Sequence, residues 1–148
     1  MSTENQAHLI GPFRRDEKIA AGAITPGMLI ELDSSDEVQA HSSEGGDGIP
    51  MFAEVDALQG NTLDTDYAAD DLVSINIEGI GSECQAFLQA GQTAVIDSEL
   101  ISGGDGTLIV NGQESSGVTV DKLFAIAREA KDLSGSGAVD TLIRVLIV

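Results

Sequence analysis

Short apolar runs, separated by glycine-rich and polar turns, predict a protein built from β-strands. The clearest run is residues 72–78, where Val73, Ile75 and Ile77 alternate with polar residues. This period of two is typical of a strand whose faces meet different surroundings. The closing run has few polar positions, so it is predicted to be buried or paired. In order, the other predicted strands are 28–32, 38–41, 51–55, 84–90, 93–96, 107–110 and the closing 141–148.

A tight turn is predicted at Pro26-Gly27, within the stretch 21–32. Proline presets φ at the first central position of a type II turn, and glycine supplies the positive φ that the second position requires. The apolar run that follows has the length of a strand. This part of the sequence therefore predicts a hydrophobic approach, a turn and a strand.

One segment, residues 120–131, fits two kinds of structure. Its apolar residues at 120, 123, 124, 127 and 130 fall at helical spacing, and its composition favours helix. However, Phe124, Ile126 and Arg128 alternate as they would in a strand. Local propensity favours helix, whereas the surrounding strands favour another strand.

The apolar residues are plentiful but small, since the chain has four Phe, one Tyr and no Trp. The core must therefore be built from Ile, Leu, Val and Ala, which suits a thin, sheet-based fold better than a deep cofactor pocket. Seventeen Gly supply frequent turns. At 148 residues the chain predicts one compact all-β domain, barrel-like or sandwich-like, with little helix.

The charge is large and unevenly distributed. Seven basic residues against 25 acidic ones give a net charge of −18, and no Lys or Arg lies between Ile19 and Asp121. Such a surface repels phosphate backbones and anionic lipids, so neither a nucleic acid nor a membrane is an expected partner. It also opposes self-association, so an oligomer needs apolar contacts, bound cations or a basic partner.

Residues 1–18 are predicted to form an extended N-terminal arm, followed by a single β-rich domain at 19–148. Residues 1–8 are polar and expected to be disordered. The rest of the arm combines apolar anchors with positive charge beside an acidic body, as a docking element would, although an ordinary frayed terminus is the alternative. The candidate contact residues are Leu9, Ile10, Phe13, Arg14, Arg15 and Lys18.

No motif predicts an enzyme, a metal site or a cofactor site. The glycine-rich loops at 42–48 and 102–106 lack the layout of a calcium-binding loop and are predicted to be solvated turns. His8 and His41 are isolated, which gives little support to a metal site. Cys84, the only cysteine, is expected to pack rather than react. Without a secretory signal or a membrane-spanning run, the chain is expected to be made in the cytoplasm as a soluble protein.

Five segments carry a resemblance through their order and spacing. They read Ala-Gly-Ala-Ile-Thr-Pro-Gly-Met-Leu-Ile-Glu-Leu at 21–32, Thr-Asp-Tyr-Ala-Ala-Asp-Asp-Leu-Val at 65–73, Leu-Gln-Ala-Gly-Gln-Thr-Ala at 88–94, Leu-Ile-Ser-Gly-Gly-Asp-Gly-Thr-Leu at 100–108, and a close from Ala-Ile-Ala-Arg-Glu-Ala at 125–130 to Ile-Arg-Val at 143–145. Over residues 19–148 this series resembles the small capsid decoration (cement) proteins of tailed bacteriophages. One departure is Asp70, where such proteins commonly have glycine.

The resemblance implies a compact β-fold homotrimer on the outer surface of a capsid, where it binds the major capsid protein and clamps neighbouring hexamers. It also implies a strand rather than a helix at 125–130. Three copies of one contact would give avidity. Deleting residues 2–18 is then expected to abolish capsid binding and to leave the trimer folded.

Two other classes of function remain open. One is a β-rich carbohydrate- or receptor-binding module on a virion appendage, which would need an exposed aromatic platform that one Tyr and four Phe hardly supply. The other is a hydrolase with unrecognised carboxylate chemistry, which only the abundance of Asp and Glu supports.

Overall fold

The computed structural model describes residues 6–148, and over this range the chain is nearly all β. Within the range, thirteen short strands and one 3₁₀ turn, Ala57–Gln59, make up the regular structure. The prediction of an all-β domain with little helix is confirmed. In chain order the strands are β1 (His8–Ile10), β2 (Phe13–Ile19), β3 (Ile30–Leu32), β4 (Val38–Ala40), β5 (Met51–Ala53), β6 (Leu72–Glu78), β7 (Glu83–Leu88), β8 (Thr93–Ala94), β9 (Glu99–Ser102), β10 (Leu108–Val110), β11 (Ala125–Ala127), β12 (Lys131–Asp132) and β13 (Thr141–Ile147).

Five strands close into a barrel in the order β7-β10-β9-β11-β13, because β13 pairs with β7 again. Four of the neighbouring pairs are antiparallel, and β7 with β10 is parallel. A ring of five strands needs such a parallel pair, since strand direction reverses at every antiparallel one. The strands of this narrow barrel contribute small and medium side chains to the core, and Phe52 and Phe124, both fully buried, pack with them, so the core is not built from Ile, Leu, Val and Ala alone. The strand residues in the core cluster include Cys84, Ala86, Leu88, Leu100, Leu108, Ala125, Ala127, Ile143, Val145 and Ile147.

The ambiguous segment 120–131 contains a strand and not a helix. β11 pairs with β13 on one side and with β9 on the other. Ala125 and Ala127 are fully buried. A helix here would leave the backbone groups of both neighbouring strands without partners. The strand predicted at 125–130 is therefore confirmed over its first half, and the chain bends at Arg128 before β12 begins.

A second sheet, in the order β2-β6-β5, borders the barrel. Its central strand has the predicted bounds, and on the face predicted to be apolar Val73 and Ile75 are buried, whereas Ile77 is half-buried. The opposite face of β6 differs from an ordinary solvated face, because Asn76 and Glu78 are buried as well. Phe52 of β5 belongs to the core cluster of the barrel, so the two sheets share a packed boundary.

The turn predicted at Pro26-Gly27 forms and also packs on the barrel. Gly27 has a φ of 98°, and the N–H of Met28 donates to the Thr25 carbonyl oxygen at 3.1 Å. A Cβ added to Gly27 would lie 2.5 Å from Cδ2 of Leu142 on the outside of the barrel. Glycine is therefore required both for the positive φ and for the close approach.

The segment predicted to be an arm is hydrogen-bonded to the body from Gln6 onward, since the Gln85 side chain donates to the Gln6 carbonyl oxygen. β1 pairs with β7, and β2 pairs with β6 along its whole length. β2 also continues to Ile19, so no break in structure falls at residue 18. Residues 1–8 were expected to be disordered. Of these, residues 1–5 lie outside the described range, whereas residues 6–8 are described and His8 is the first residue of β1.

The loop at 42–48 is less exposed than predicted. Gly45 is buried; its N–H donates to the Ser102 carbonyl oxygen at 2.9 Å, and its own carbonyl accepts from the N–H of Asp121 at 2.7 Å. A Cβ at Gly45 would lie 2.8 Å from the carbonyl oxygen of Thr119. The loop packs through its backbone because glycine lets another segment approach closely.

Candidate interaction surface

β2 is the edge strand of its sheet and carries four of the six predicted contact residues. All seven of its residues are exposed or half-exposed. Because side chains alternate along a strand, Phe13 and Arg15 share one face, and Arg14 and Lys18 share the other. Within residues 6–148, no strand pairs with its outer edge. The charged side chains of β2 are therefore accessible to solvent or to a binding partner.

The two arginines of β2 are freer than its lysine. The Arg14 side chain is 76% exposed, and its guanidinium lies 3.9 Å from the nearest carboxylate oxygen. The Arg15 guanidinium carbon lies 5.8 Å from the centre of the Phe13 ring, within cation–π range. In contrast, Lys18 Nζ donates to Asp36 Oδ2 at 2.7 Å, and this hydrogen bond raises the pKa of Lys18. Lys18 is thus engaged within the chain.

An exposed apolar end lies beside the arginines. Ile10 is 64% exposed, Phe13 42% and Ile80 81%. A backbone hydrogen bond of 2.8 Å, from Gly79 N–H to the Pro12 carbonyl oxygen, holds the turn after β6 beside the turn between β1 and β2. Ile80 was not predicted as a contact residue, because a single isoleucine between two turn glycines carries no periodic signal.

The six predicted residues are therefore not all brought together. Ile10, Phe13, Arg14 and Arg15 lie at one end of the molecule. The remaining two differ from them: Leu9 is half-buried, and Lys18 lies five residues beyond Phe13, roughly 16 Å along the strand.

A buried carboxylate ties the N-terminal segment to the body. Glu54 accepts hydrogen bonds from the backbone N–H groups of Ala7 and His8, at 2.6 and 2.8 Å, and from the Asn76 side chain at 2.7 Å. Hydrogen bonds to a charged acceptor are stronger than neutral ones, which stabilises β1 against the body. The signal in the sequence was a lone carboxylate inside the apolar run 51–55.

A second buried carboxylate lies beside the first. Nδ1 of His8 is 2.9 Å from Oε2 of Glu78, and the Ser82 hydroxyl donates to the same oxygen at 3.0 Å. Burial raises the pKa of Glu78, although the hydrogen bonds from His8 and Ser82 oppose this rise. Together the two carboxylates hold His8 against the body, and the His8 ring lies 4.1 Å from the Phe13 ring, centre to centre.

The net negative charge of the protein comes from one part of the chain. Residues 20–119 contain 18 acidic residues and no Lys or Arg, whereas residues 120–148 contain four acidic and four basic residues. Residues 6–19 hold three basic and two acidic residues. The net charge therefore comes from the middle of the chain, and β1, β2 and β11–β13 come from segments without excess negative charge.

A groove of about 1180 Å³ opens on the outside of the barrel, between β7, β13 and the loop at 62–66. Phe87 and Leu142 belong to its lining. The charged residues lining it are four carboxylates and one ammonium group, from Asp64, Asp66, Glu129, Asp140 and Lys131. Such a lining favours cationic or apolar groups over anions.

Neither histidine belongs to a metal site among residues 6–148, where no group of three or more His, Cys, Asp or Glu could hold an ion. His41 is buried, with Nδ1 2.7 Å from Ser102 Oγ and Nε2 2.9 Å from the Asp47 carbonyl oxygen. Cys84 is buried in the barrel, and burial raises the pKa of its thiol well above its ordinary value. In the part of the chain that the structure describes, no helix has the length and apolar character needed to cross a membrane.

Comparison with known proteins gives a match in structure. No protein-family model and no curated protein matches the sequence. The fold is similar to that of the N base of head fiber gp8.5 in bacteriophage phi29, with a TM-score of 0.57 and 16% sequence identity. The match covers 93% of this chain and 95% of that chain. At this identity the likeness establishes a shared fold over nearly the full length of both.

Proposed function

We propose that this chain is a structural virion protein that binds the outer surface of a phage capsid as a homotrimer and stabilises the shell by bridging neighbouring major capsid proteins. The observation that carries the proposal is the fold shared with a head fiber base over 93% of the chain. The ordered segments from 21–32 to 143–145 support it independently, because they resemble decoration proteins. The proposed role is structural, without catalysis or a cofactor.

The proposed capsid contact is the end of the molecule that carries Ile10, Phe13, Arg14 and Arg15. This end combines exposed apolar side chains with two arginines in a chain of net charge −18. Arginine and aromatic residues are enriched among the residues that dominate interface energies. The complementary surface on the major capsid protein would be acidic with an apolar centre.

A second candidate function is the base of a virion appendage, which would carry or support a carbohydrate- or receptor-binding module. The observation that favours it is the name of the structural neighbour, which is a head fiber base. A decoration protein and an appendage base differ in how many copies a particle carries.

The copy number per purified virion distinguishes these functions. We expect a ratio to the major capsid protein near one to one, measured by quantitative mass spectrometry of digested particles. A handful of copies would instead establish an appendage at the tail or at a vertex. Absence of the chain from virions would overturn both proposals.

Charge removal at β2 tests the proposed contact. We expect Arg14→Ala/Arg15→Ala to weaken binding to expanded capsids at least about tenfold, since each lost hot-spot side chain costs more than about 1 kcal/mol. Sedimentation of purified protein with capsids measures the affinity. The control, Ser116→Glu/Ser136→Glu, makes the same change in net charge at two exposed loop positions. Equal affinities of the β2 variant and wild type would exclude this surface.

These substitutions are sharper than deleting residues 2–18. The deletion removes β1 and nearly all of β2, which exposes the edge of β6. It also leaves the buried Glu54 and Glu78 without their partners at Ala7 and His8. Glu54 keeps Asn76 as its side-chain donor and Glu78 keeps Ser82, but each loses part of its hydrogen bonding, and with two strands also lost the truncated chain is expected to lose its fold together with its binding.

A further inference from the structure

The outward-facing side of β13 is unusually apolar for a strand at the surface. Its inward residues, Ile143, Val145 and Ile147, are buried in the barrel. Its outward positions are Leu142, Arg144 and Leu146, and both leucines are only half-buried. The run predicted from the sequence to be buried or paired is thus fully buried on one face, whereas the leucines on its other face are half-buried.

Neighbouring strands extend this apolar surface. Ile126 of β11 lies opposite Leu146, and Phe87 of β7 lies opposite Leu142. Both side chains are half-buried and, like the leucines, are on the outside of the barrel. We define the outer barrel face as Phe87, Ile126, Leu142, Arg144 and Leu146. It borders the groove that Phe87 and Leu142 line.

A sheet face exposed to water normally alternates buried apolar with exposed polar side chains. The outer barrel face is instead an apolar strip of four residues interrupted by Arg144, and the polar Glu83, Gln85 and Glu99, opposite Leu146, Arg144 and Ile126, form its border. The Pro26-Gly27 turn covers the end at Leu142. Leu146 and Ile126 lie at the other end of the face and keep part of their surface exposed. The pattern indicates that another layer of protein packs here.

The charge distribution indicates what that layer is. Two copies of a chain with net charge −18 repel each other wherever residues 20–119 dominate the surface. β11 and β13 come instead from residues 120–148, where acidic and basic residues are equal in number. Around the face, Arg144 and Arg128 lie near Glu83 and Glu129. The distances are 3.5 Å from Arg128 Nε to Glu83 Oε1, and 2.6 Å from the Arg144 backbone nitrogen to Glu129 Oε1. The charges here are mixed, unlike those of residues 20–119, so both signs are available for pairing between copies.

We propose that the outer barrel face is the surface through which copies of this chain associate. This inference rests on the homotrimer of the proposed function, and names the residues that hold it together. The contact is head-to-tail, since three copies close a ring only when each copy uses two different surface regions. The end of the face with Ile126 and Leu146 meets the groove lined by Phe87 and Leu142 on the next copy, and Arg144 lies near that copy's carboxylates.

The test is the oligomeric state of purified full-length chain. Wild type is expected to be a trimer by light scattering after size exclusion, and Leu146→Glu is expected to raise the dissociation constant at least about 100-fold, because it places a charge at an apolar contact. Leu58→Glu is the matched control, since Leu58 is 99% exposed in the Ala57–Gln59 turn. Circular dichroism checks the fold of each variant. A folded Leu146→Glu chain that remains trimeric as tightly as wild type would overturn the inference.

A second variant decides the question if Leu146→Glu does not fold. Leu146→Cys keeps an apolar side chain and supplies an accessible thiol, while Cys84 stays unreactive because it is buried. Maleimide labelling of Leu146→Cys is expected to slow at least about tenfold as the protein concentration rises through the trimer dissociation constant. Labelling of Leu58→Cys should not depend on concentration. Concentration-independent labelling at position 146 would overturn the proposal.

Capsid binding, measured in parallel, separates this inference from the proposed function. If wild type binds capsids and its trimer does not depend on Leu146, the interface is wrong and the function stands. If Leu146→Glu dissociates the trimer and wild type does not bind capsids, the interface stands and the function is wrong. A wild-type chain that is monomeric at all concentrations overturns the inference, and its capsid binding then tests the function alone.

Discussion

β2 and β13 have the same length, seven residues, and opposite characters. β2 lies at the edge of a three-stranded sheet, and all its side chains are exposed or half-exposed. β13 lies between β7 and β11 in the closed barrel and buries Ile143, Val145 and Ile147. β2 carries three basic residues, whereas the only charged residue of β13 is Arg144.

The comparison separates two uses of a surface strand. β2 is hydrogen-bonded to the body but adds almost nothing to the core, so its sequence is free to serve recognition. β13 supports the core with one face and offers leucines on the other, which suits a broad apolar contact between like copies. Both strands come from segments without the excess negative charge of residues 20–119. The proposed capsid contact and the proposed self-contact adjoin at Glu83, which pairs with Ile10 on one side and with Leu146 on the other.

Truncating one side chain in each strand tests this contrast and has the largest expected effect. Ile143→Ala in β13 removes a fully buried side chain from the barrel, and we expect it to lower the free energy of unfolding by about 2–5 kcal/mol. Glu17→Ala in β2 should change it by less than about 0.5 kcal/mol, since Glu17 is exposed. Urea denaturation, monitored by circular dichroism at one protein concentration, measures both. Similar losses from the two substitutions would contradict the division between the strands.

The dependence of stability on salt tests the difference between the neutral segments and the acidic middle of the chain. Because repulsion between copies falls as ions screen it, the proposed trimer should become more stable with salt. We expect the melting temperature to rise by about 2–4 °C between low salt and 0.5 M NaCl, which corresponds to about 1 kcal/mol. MgCl₂ at equal ionic strength is the control, because a larger rise would indicate bound cations. A melting temperature that does not change with salt would count against repulsion as the limiting force.

The smallest expected effect concerns the carboxylate beneath β1. Burial raises the pKa of Glu78 in the folded protein, so the folded chain binds this proton more tightly than the unfolded chain. The contribution of Glu78 to stability is therefore fully present below the ordinary pKa of 4.5 and is lost as the pH rises through its raised value. As the pH falls from 7 to 5, the melting temperature of Glu78→Gln should fall by about 1 °C relative to that of wild type. This corresponds to about 0.5 kcal/mol of stability.

Melting temperatures of both proteins across this pH range measure the effect. Glu99→Gln is the matched control, since Glu99 is exposed at the start of β9. If Glu78→Gln and Glu99→Gln follow the same pH dependence, the buried carboxylate does not contribute as described.

Local patterns predicted the elements whose causes are local. The alternation in residues 72–78 predicted β6 with its bounds, and Pro26-Gly27 predicted a turn with positive φ at glycine. In contrast, β9 carries only Leu100 and Ile101 as apolar residues and was not predicted, although both are fully buried. Its place in the barrel depends on β10 and β11, which follow it in the chain.

The candidate surface was predicted only in part, because some of its contacts also join segments that are far apart in the chain. The placement of Ile10, Phe13, Arg14 and Arg15 ahead of an acidic body pointed to a contact, and the structure brings these four to one end. Their anchoring through Glu54 and Glu78 was not predicted, because a carboxylate in an apolar run does not reveal which backbone groups will reach it. The run 141–148 showed the apolar character of the outer barrel face. It did not show which side of the strand would be only half-buried.

The all-β class, the main turn, the strand at 72–78 and the segregation of charge follow from the order of residues alone, since each depends on neighbours within a few positions. Closure of the barrel, the choice of strand over helix at Ala125–Ala127, and the pairing of β1 and β2 with the body were decided by the tertiary structure. In each of these cases the backbone partners lie far away in sequence. A strand is stable only when a partner satisfies its hydrogen bonds, and the local sequence does not specify that partner.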